Sequence, residues 1–191
     1  MLKRRSKDLH VSLVFTSPSR DVLVHFYSPS LATMDVPLPQ ERLHRGDLDP
    51  AEVEKTMKAV PQGERALFIF DDCVASMPPG GKAIRPFIKM CYNRRHLTGK
   101  NAGIAIMIVS QKLAGGIPRQ LRAAADGIFY WRTANRKEIR TFFDEYVSMD
   151  EEDFHRMLEF AWSDRYSFLF ARLDRPPESR YHRNFELIKS M

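Results

Sequence analysis

Two apolar runs, ALFIF (66–70) and GIAIMIV (103–109), contain no polar residue that could mark a solvent-facing side. A strand with one wet face alternates apolar and polar residues. A strand covered on both faces does not, and such strands belong to parallel sheets. Between the two runs, Ile84, Phe87, Ile88, Cys91 and Tyr92 recur at helical spacing. Strand, helix and strand in that order require a crossover between parallel neighbours, and such crossovers are right-handed. GIFYW (127–131) reads as a third strand of the same kind. The expected fold class is therefore α/β, with a parallel sheet flanked by helices. The runs at 66–70 and 103–109 should lie side by side.

The remaining segments fit around that sheet. HVSLVFT (10–16) and DVLVHFY (21–27) are rich in β-branched and aromatic residues, and SPSR between them indicates a hairpin or two neighbouring strands. DLDPAEVEKTMKAV (47–60) reads as a helix, with Asp49 as N-cap, Pro50 in the first position and Val53, Met57 and Val60 on one face. MPPGGK (77–82) is a loop, and a short helix starts near Pro118. Asn135 with Glu138, and Ser148 with Glu151, have capping-box spacing and open two more helices. RYSFLFARLD (165–174) is a last strand, followed by a basic tail. At 191 residues the chain is expected to form one domain. It divides into a front part (1–65), a central part with the strand-end residues (66–147) and a C-terminal part (148–191).

Charge is distributed unevenly. The net charge is +6, yet 73–125 contains no Asp or Glu while carrying Lys82, Arg85, Lys89, Arg94, Arg95, Lys100, Lys112, Arg119 and Arg122. In 141–164 eight acids face Arg156 as the one Lys or Arg. A charge run is ordinarily a solvated face, but an acid-free stretch of this length points to a surface that meets phosphate. Within it, Arg94, Lys100, Lys112 and Arg119 are the candidate contacts to nucleic acid. Two cysteines, Cys73 and Cys91, form neither a metal spacing nor a disulfide framework, and the six histidines are scattered. No apolar run approaches the ~20 residues of a membrane span.

The chemistry-bearing residues stand at strand ends. Asp71 and Asp72 follow ALFIF directly, and ligands of open α/β sheets sit at the carboxyl ends of strands. One acid there can hold magnesium, since hard oxygen ligands suit a hard cation, and the second can orient or deprotonate a water. The alternative is a solvated Asp that caps the next turn. Gln111 comes just after the next apolar run, where a neutral amide could reach a terminal phosphate or an attacking water; it could equally just open a loop. Arg94, Arg95, His96 and Lys100 lie between a helix end and a strand start, placed either for the helix dipole or for phosphate, including a neighbour's nucleotide. Arg119 and Arg122 share one helical face.

ALFIFDD, YNRRH, IAIMIVSQ and IPRQLRAAADGIFYW, in that order, resemble the poxvirus-type DNA-packaging ATPases of nucleocytoplasmic large DNA viruses, members of the FtsK–HerA superfamily of P-loop motors. The resemblance covers 66–144 well and extends more loosely to the last strand. It implies a RecA-like P-loop NTPase core with a mostly parallel sheet, ATP and Mg2+ as cofactors, and double-stranded DNA as partner. It also implies self-association in a ring, a capsid or portal-like protein as partner, and a place in the viral factory of the host cytoplasm or in the virion. By matching position, Asp71 would hold the magnesium in a Walker B site and Asp72 would serve the attacking water. Gln111 would be the sensor-like glutamine, Arg95 the arginine of the Arg-His pair, and Arg122 the arginine after the Ile-Pro turn. The family also has a Gly-rich loop ending Gly-Lys-Ser/Thr before Walker B. Here no glycine precedes Gly46, and in PPGGKAI Ala83 stands where the hydroxyl residue belongs. VLVHFYSPS resembles the family's second strand, so the fold is expected to be N-terminally incomplete, through truncation, a split gene or loss.

Three functions fit these residues. One is a packaging motor subunit that hydrolyses ATP. Another is a nucleotide-independent DNA-binding or assembly protein that keeps the fold. The third, a magnesium-dependent nuclease, is disfavoured because 73–125 supplies no further acid to converge on its metals.

Overall fold

A computed structural model describes residues 22–29, 36–46, 48–73, 81–97 and 103–189, apart from the side chain of Arg95. The expected strand at 10–16, most of the loop at 77–82, and Lys100 lie outside the described residues.

Strands β1 (Val22–Ser28), β2 (Leu43–Arg45), β3 (Arg65–Asp71) and β4 (Gly103–Val109) form a sheet in the order β2-β1-β3-β4. Every pairing is parallel. The two apolar runs are neighbours as expected, in register from Arg65 opposite Gly103 to Asp71 opposite Val109. One face of this sheet carries Tyr27, Ala66, Phe68, Phe70 and Ile104. Helices α1 (Pro50–Lys58) and α2 (Ile84–Asn93) cover it with Val53, Met57, Ile84, Phe87, Met90 and Cys91. Fully burying side chains of this size contributes about 1.5–3 kcal/mol each. Helix α1 starts as its sequence requires: Asp49 Oδ1 accepts the Ala51 N–H at 2.9 Å, with Pro50 in the first turn. The opposite face carries Val24, Phe26 and Ile69, with Val36, Leu38, Leu43, Met107 and Val109 beside them.

Sequence and structure differ at β4. An apolar strand of this kind is expected to be covered on both sides, yet among the described residues β4 ends the sheet, and beyond its first residues it is only half-buried. Strand pattern reports what a segment can bury; strand order decides which segment is flanked.

A second difference is the C-terminal half. The third apolar run forms β5 (Gly127–Trp131), but it does not join the parallel sheet. It pairs antiparallel with β6 (Phe168–Arg172), which continues through β7 (Tyr181–Arg183) and β8 (Glu186–Leu187). What reads as a basic tail thus supplies two further strands. One face of this sheet gives Tyr130, Leu169, Ala171 and Tyr181 to a second core. Beyond the short helix α3 (Arg119–Ala123), it meets there Phe142 and Tyr146 of α4 (Arg136–Tyr146) and Phe154, Met157, Leu158 and Ala161 of α5 (Glu151–Ala161). Trp162 Nε1 donates to the Tyr130 carbonyl and Tyr181 Oη to the Tyr146 carbonyl, so both helices are tied to the sheet. On the other face the cross-strand pairs Phe129/Phe170, stacked, and Trp131/Phe168, tilted, form an aromatic set, with the exposed Phe185 edge-on against it. Such pairs stabilise a sheet by about 0.2–1 kcal/mol each.

Capping also departs from the spacing rule. Asn135 caps α4 as expected, accepting from Lys137 N at 3.0 Å, but Glu138 does not return to it. The Asn135 N–H is taken by Thr133 Oγ1 at 3.1 Å instead. Helix α5 is capped by Asp150, which accepts the Asp153 N–H at 2.9 Å, rather than by Ser148. An ionised carboxylate accepts an N-terminal amide more strongly than a hydroxyl does. No helix among the described residues is long and apolar enough to cross a membrane.

Candidate functional site

Because the first sheet is wholly parallel, all its strands end on the same edge. That edge gathers Ser28 from β1, Asp71 and Asp72 from β3, and Ser110 and Gln111 from β4. Ser28 is fully buried and donates its hydroxyl to Asp71 Oδ2 at 3.0 Å. Burial raises the Asp71 carboxyl above its ordinary value; the Ser28 hydrogen bond opposes this and the Asp72 charge adds to it. The Asp72 N–H donates to the Val109 carbonyl at 3.0 Å, so it prolongs the β3–β4 ladder by one step. The backbone then turns: Asp72 has φ +51°, a left-handed conformation that aspartate tolerates better than most residues. Cys73, buried beneath this turn, donates its thiol to the Tyr27 carbonyl at 3.2 Å. Burial pushes that thiol up to about 12, so it stays protonated.

Across the strand gap, Gln111 Nε2 donates to Asp72 Oδ2 at 2.9 Å. The pair is exposed, as a site for a soluble ligand must be. The amide oxygen of Gln111 has no partner among the described residues. A water donating to it and to Asp72 would be fixed by two acceptors at once. Ser28, Asp71 and Asp72 offer the hard oxygen donors that suit magnesium. A cation there would also relieve the like-charge and desolvation costs at Asp71, so the residues present fit the ion.

The loop after Gln111 is held from two sides. Glu138, 6% exposed, accepts the Leu113 and Ala114 N–H groups on its Oε2 at 2.7 and 3.1 Å. Arg122 donates through Nη1 to the carbonyls of Leu113 and Ile117 at 2.8 and 3.1 Å. Its Nε and Nη2 make a bidentate pair with Glu145 at 2.9 and 2.7 Å. Within the loop, the Lys112 N–H donates to Ser110 Oγ, which itself donates to the Lys112 carbonyl. A Cβ at position 116 would stand 2.1 Å from that carbonyl, so the turn requires Gly116.

The other candidates lie elsewhere. Arg122 is engaged in this clamp rather than at the Asp72–Gln111 pair. Arg94 donates to the Cys91 carbonyl at 3.1 Å and pairs with Asp126 at 3.2 Å. It follows α2 and precedes β4, as does Arg95, which sits in the 3-10 turn Arg94–His96. Lys112 and Arg119 are exposed. Ser28, Cys73 and Glu138 escape a reading of the sequence. Ser28 carries the one available signal, a hydroxyl where β1's inward alternation and a Ser-Pro turn meet.

No protein-family model and no curated protein matches the chain. Solved structures do match. The genome packaging NTPase B204 of Sulfolobus turreted icosahedral virus 2, in complex with sulfate, superposes with a TM-score of 0.60 at 12% identity, over 88% of this chain and 84% of that one. B204 of that virus in complex with ATP-gammaS gives 0.55 at 16%, over 88% and 82%. B204 of Sulfolobus turreted icosahedral virus, a DNA-packaging ATPase, gives 0.56 at 12%, over 87% and 84%. The chain therefore has the mixed α/β fold of the viral genome-packaging NTPases, with the strand ends of its parallel sheet forming the edge just described.

Proposed function

We propose that the chain is a genome-packaging NTPase subunit whose chemistry lies at the Asp71–Asp72–Gln111 edge. The observation that carries this reading is the 2.9 Å contact between Gln111 and Asp72, made by adjacent parallel strands at the edge where α/β folds hold ligands. The fold likeness to B204 supports it. Asp71, steadied by Ser28, holds magnesium, which when bound neutralises charge on phosphate oxygens. Gln111 orients a water through its amide oxygen, and Asp72 accepts that water's proton as it attacks. Arg122 keeps the Gln111 loop in place. Arg95, in the 3-10 turn between α2 and β4, serves the neighbouring subunit's nucleotide in a ring, and Arg94 beside it meets nucleic acid. Lys112 and Arg119, exposed and without acids nearby in sequence, join Lys100 in holding the backbone of double-stranded DNA, without regard to base sequence. The setting is a viral factory or virion, with a capsid or portal-like partner.

The 191 residues contain no Gly-Lys-Ser/Thr triplet, so on this reading the phosphate cradle comes from a polypeptide outside them. The same feature favours a second reading, a DNA-binding assembly protein that does not use nucleotide. One experiment separates the two. ATP hydrolysis is measured with magnesium and duplex DNA, with and without a co-expressed segment that carries such a loop. The motor reading expects hydrolysis with the segment, lost in Asp72→Asn while nucleotide stays bound. Duplex binding that is salt-dependent, with no hydrolysis in either mixture, establishes the second reading instead.

A further inference from the structure

We infer that Glu138 is a positioning residue that sets Gln111 against Asp72, a role that rests on the proposed chemistry at that pair. Glu138 stands in the first turn of α4, three residues after the Asn135 cap, where a glutamate ordinarily returns to its own cap. Thr133 has taken that place. The freed carboxylate is buried and bonds outside its helix, to the amides of Leu113 and Ala114. These lie two and three residues after Gln111. A buried carboxylate is costly unless its acceptor sites are filled, so the two amides cannot move off Glu138 without leaving a charge uncompensated. The carbonyl side is held independently, since Arg122 grips Leu113 and Ile117 and is itself held by Glu145, a second residue of α4.

Leu113 is thereby fixed through both its N–H and its carbonyl, and its side chain packs against the second core, whereas Ile117 packs against the first. The loop that starts with Gln111 is thus referenced to α4 and not to the end of β4 alone. Gln111 itself is exposed, and its described side-chain bond is the one to Asp72. Without the clamp, its rotamer freedom and that of a glycine-containing loop would oppose holding a 2.9 Å contact.

Both amides converge on a single oxygen of Glu138, so glutamine can present its carbonyl to them and keep both bonds, while alanine can keep neither. This provides the test. The side-chain amide resonance of Gln111, assigned by its disappearance in Gln111→Ala, is followed by NMR in the full chain. Asp72→Ala gives the position of the unpaired amide. Glu138→Ala should move the resonance most of the way to that position and raise amide exchange across 111–114. Glu138→Gln should restore both. In the hydrolysis assay, Glu138→Ala should lower kcat by about 10- to 100-fold with nucleotide affinity unchanged, the signature of a misplaced group. Where Glu138→Ala does not fold, Glu145→Gln, at a partly exposed position, loosens Arg122 and should move the resonance in the same direction by less. A folded Glu138→Ala with an unmoved Gln111 resonance overturns the inference. A moved resonance in a chain that hydrolyses no ATP under any condition leaves the positioning intact and overturns the proposed chemistry.

Discussion

Among the described residues the two halves of the molecule each build a four-stranded sheet and cover one face with two helices, and they differ in strand direction. The parallel sheet brings the ends of β1, β3 and β4 to one edge, so Ser28, Asp71, Asp72 and Gln111 meet although 43 and 39 residues separate the bonded pairs. The antiparallel sheet sends alternate strand ends to opposite edges and cannot gather such a set. Its contribution is rigidity. The second core and α4 hold the loop that follows Gln111, through Leu113, Glu138 and Arg122–Glu145. On the proposed function, chemistry and support divide between two topologies, and single substitutions can test that division.

The largest expected effect separates the halves outright. Asp72→Asn should reduce magnesium-dependent hydrolysis by about 10²–10⁴-fold, the range for loss of a general base, and leave the denaturation midpoint within error. Phe142→Ala in the second core should do the reverse at the level of stability, costing about 3–5 kcal/mol through the cavity left by a fully buried ring. Both tryptophans, Trp131 and Trp162, lie in the second half. Their fluorescence therefore reports that half alone in urea. If Phe142→Ala and Phe68→Ala shift the fluorescence transition equally, the two cores unfold as one unit and the comparison fails.

Acid should distinguish the halves next. His25 Nδ1 lies 3.2 Å from His44 Nε2 in the first half, and burial, with the His44 and Arg42 charges, lowers His25 to about 4. The unfolded chain, with its histidine at 6.5, binds that proton more readily. Stability contributed by neutral His25 is therefore present above 6.5 and lost as pH falls toward 4. Far-UV circular dichroism should show the loss, tryptophan fluorescence should lag behind it, and His25→Phe should flatten the profile.

Asp71 acts with the opposite sign. Its folded carboxyl is raised by burial, so the folded state holds the proton when the unfolded state has released it, and stability declines as pH rises above the ordinary carboxylate value of 3.8. Asp71→Asn should therefore be more stable than the wild type at neutral pH. Magnesium should raise the melting temperature of the wild type and not of Asp71→Asn. An equal rise in both would place the ion elsewhere. The smallest effects should be indifferent to topology. Breaking the exposed i,i+4 pairs Lys58–Glu54 and Arg140–Asp144, one in each half, should move the midpoint of a denaturant titration least of all, because solvent screens both pairs.

Local physics made a large part of this legible in advance. The apolar runs of β3 and β4, with a helical segment between them, pointed to a parallel pair, because a crossover joins neighbours that run the same way. Asp49-Pro50 required a helix start. Asp71, Asp72 and Gln111 could be placed at strand ends from the points where apolarity stops. Other features depended on partners far away in sequence. GIFYW has the same composition whether its neighbour runs parallel or antiparallel, and β6 decided it. Glu138 has the spacing of a cap, and only the proximity of Leu113 and Ala114 turns it into a clamp. Arg122 stands in a basic stretch that reads as phosphate-binding until Glu145 is brought to it from α4. Periodicity and turn chemistry act over a few residues and are written in the sequence. A buried charge must find its compensation in three dimensions, so the roles of Glu138, Arg122 and Ser28 were decided by the tertiary structure alone.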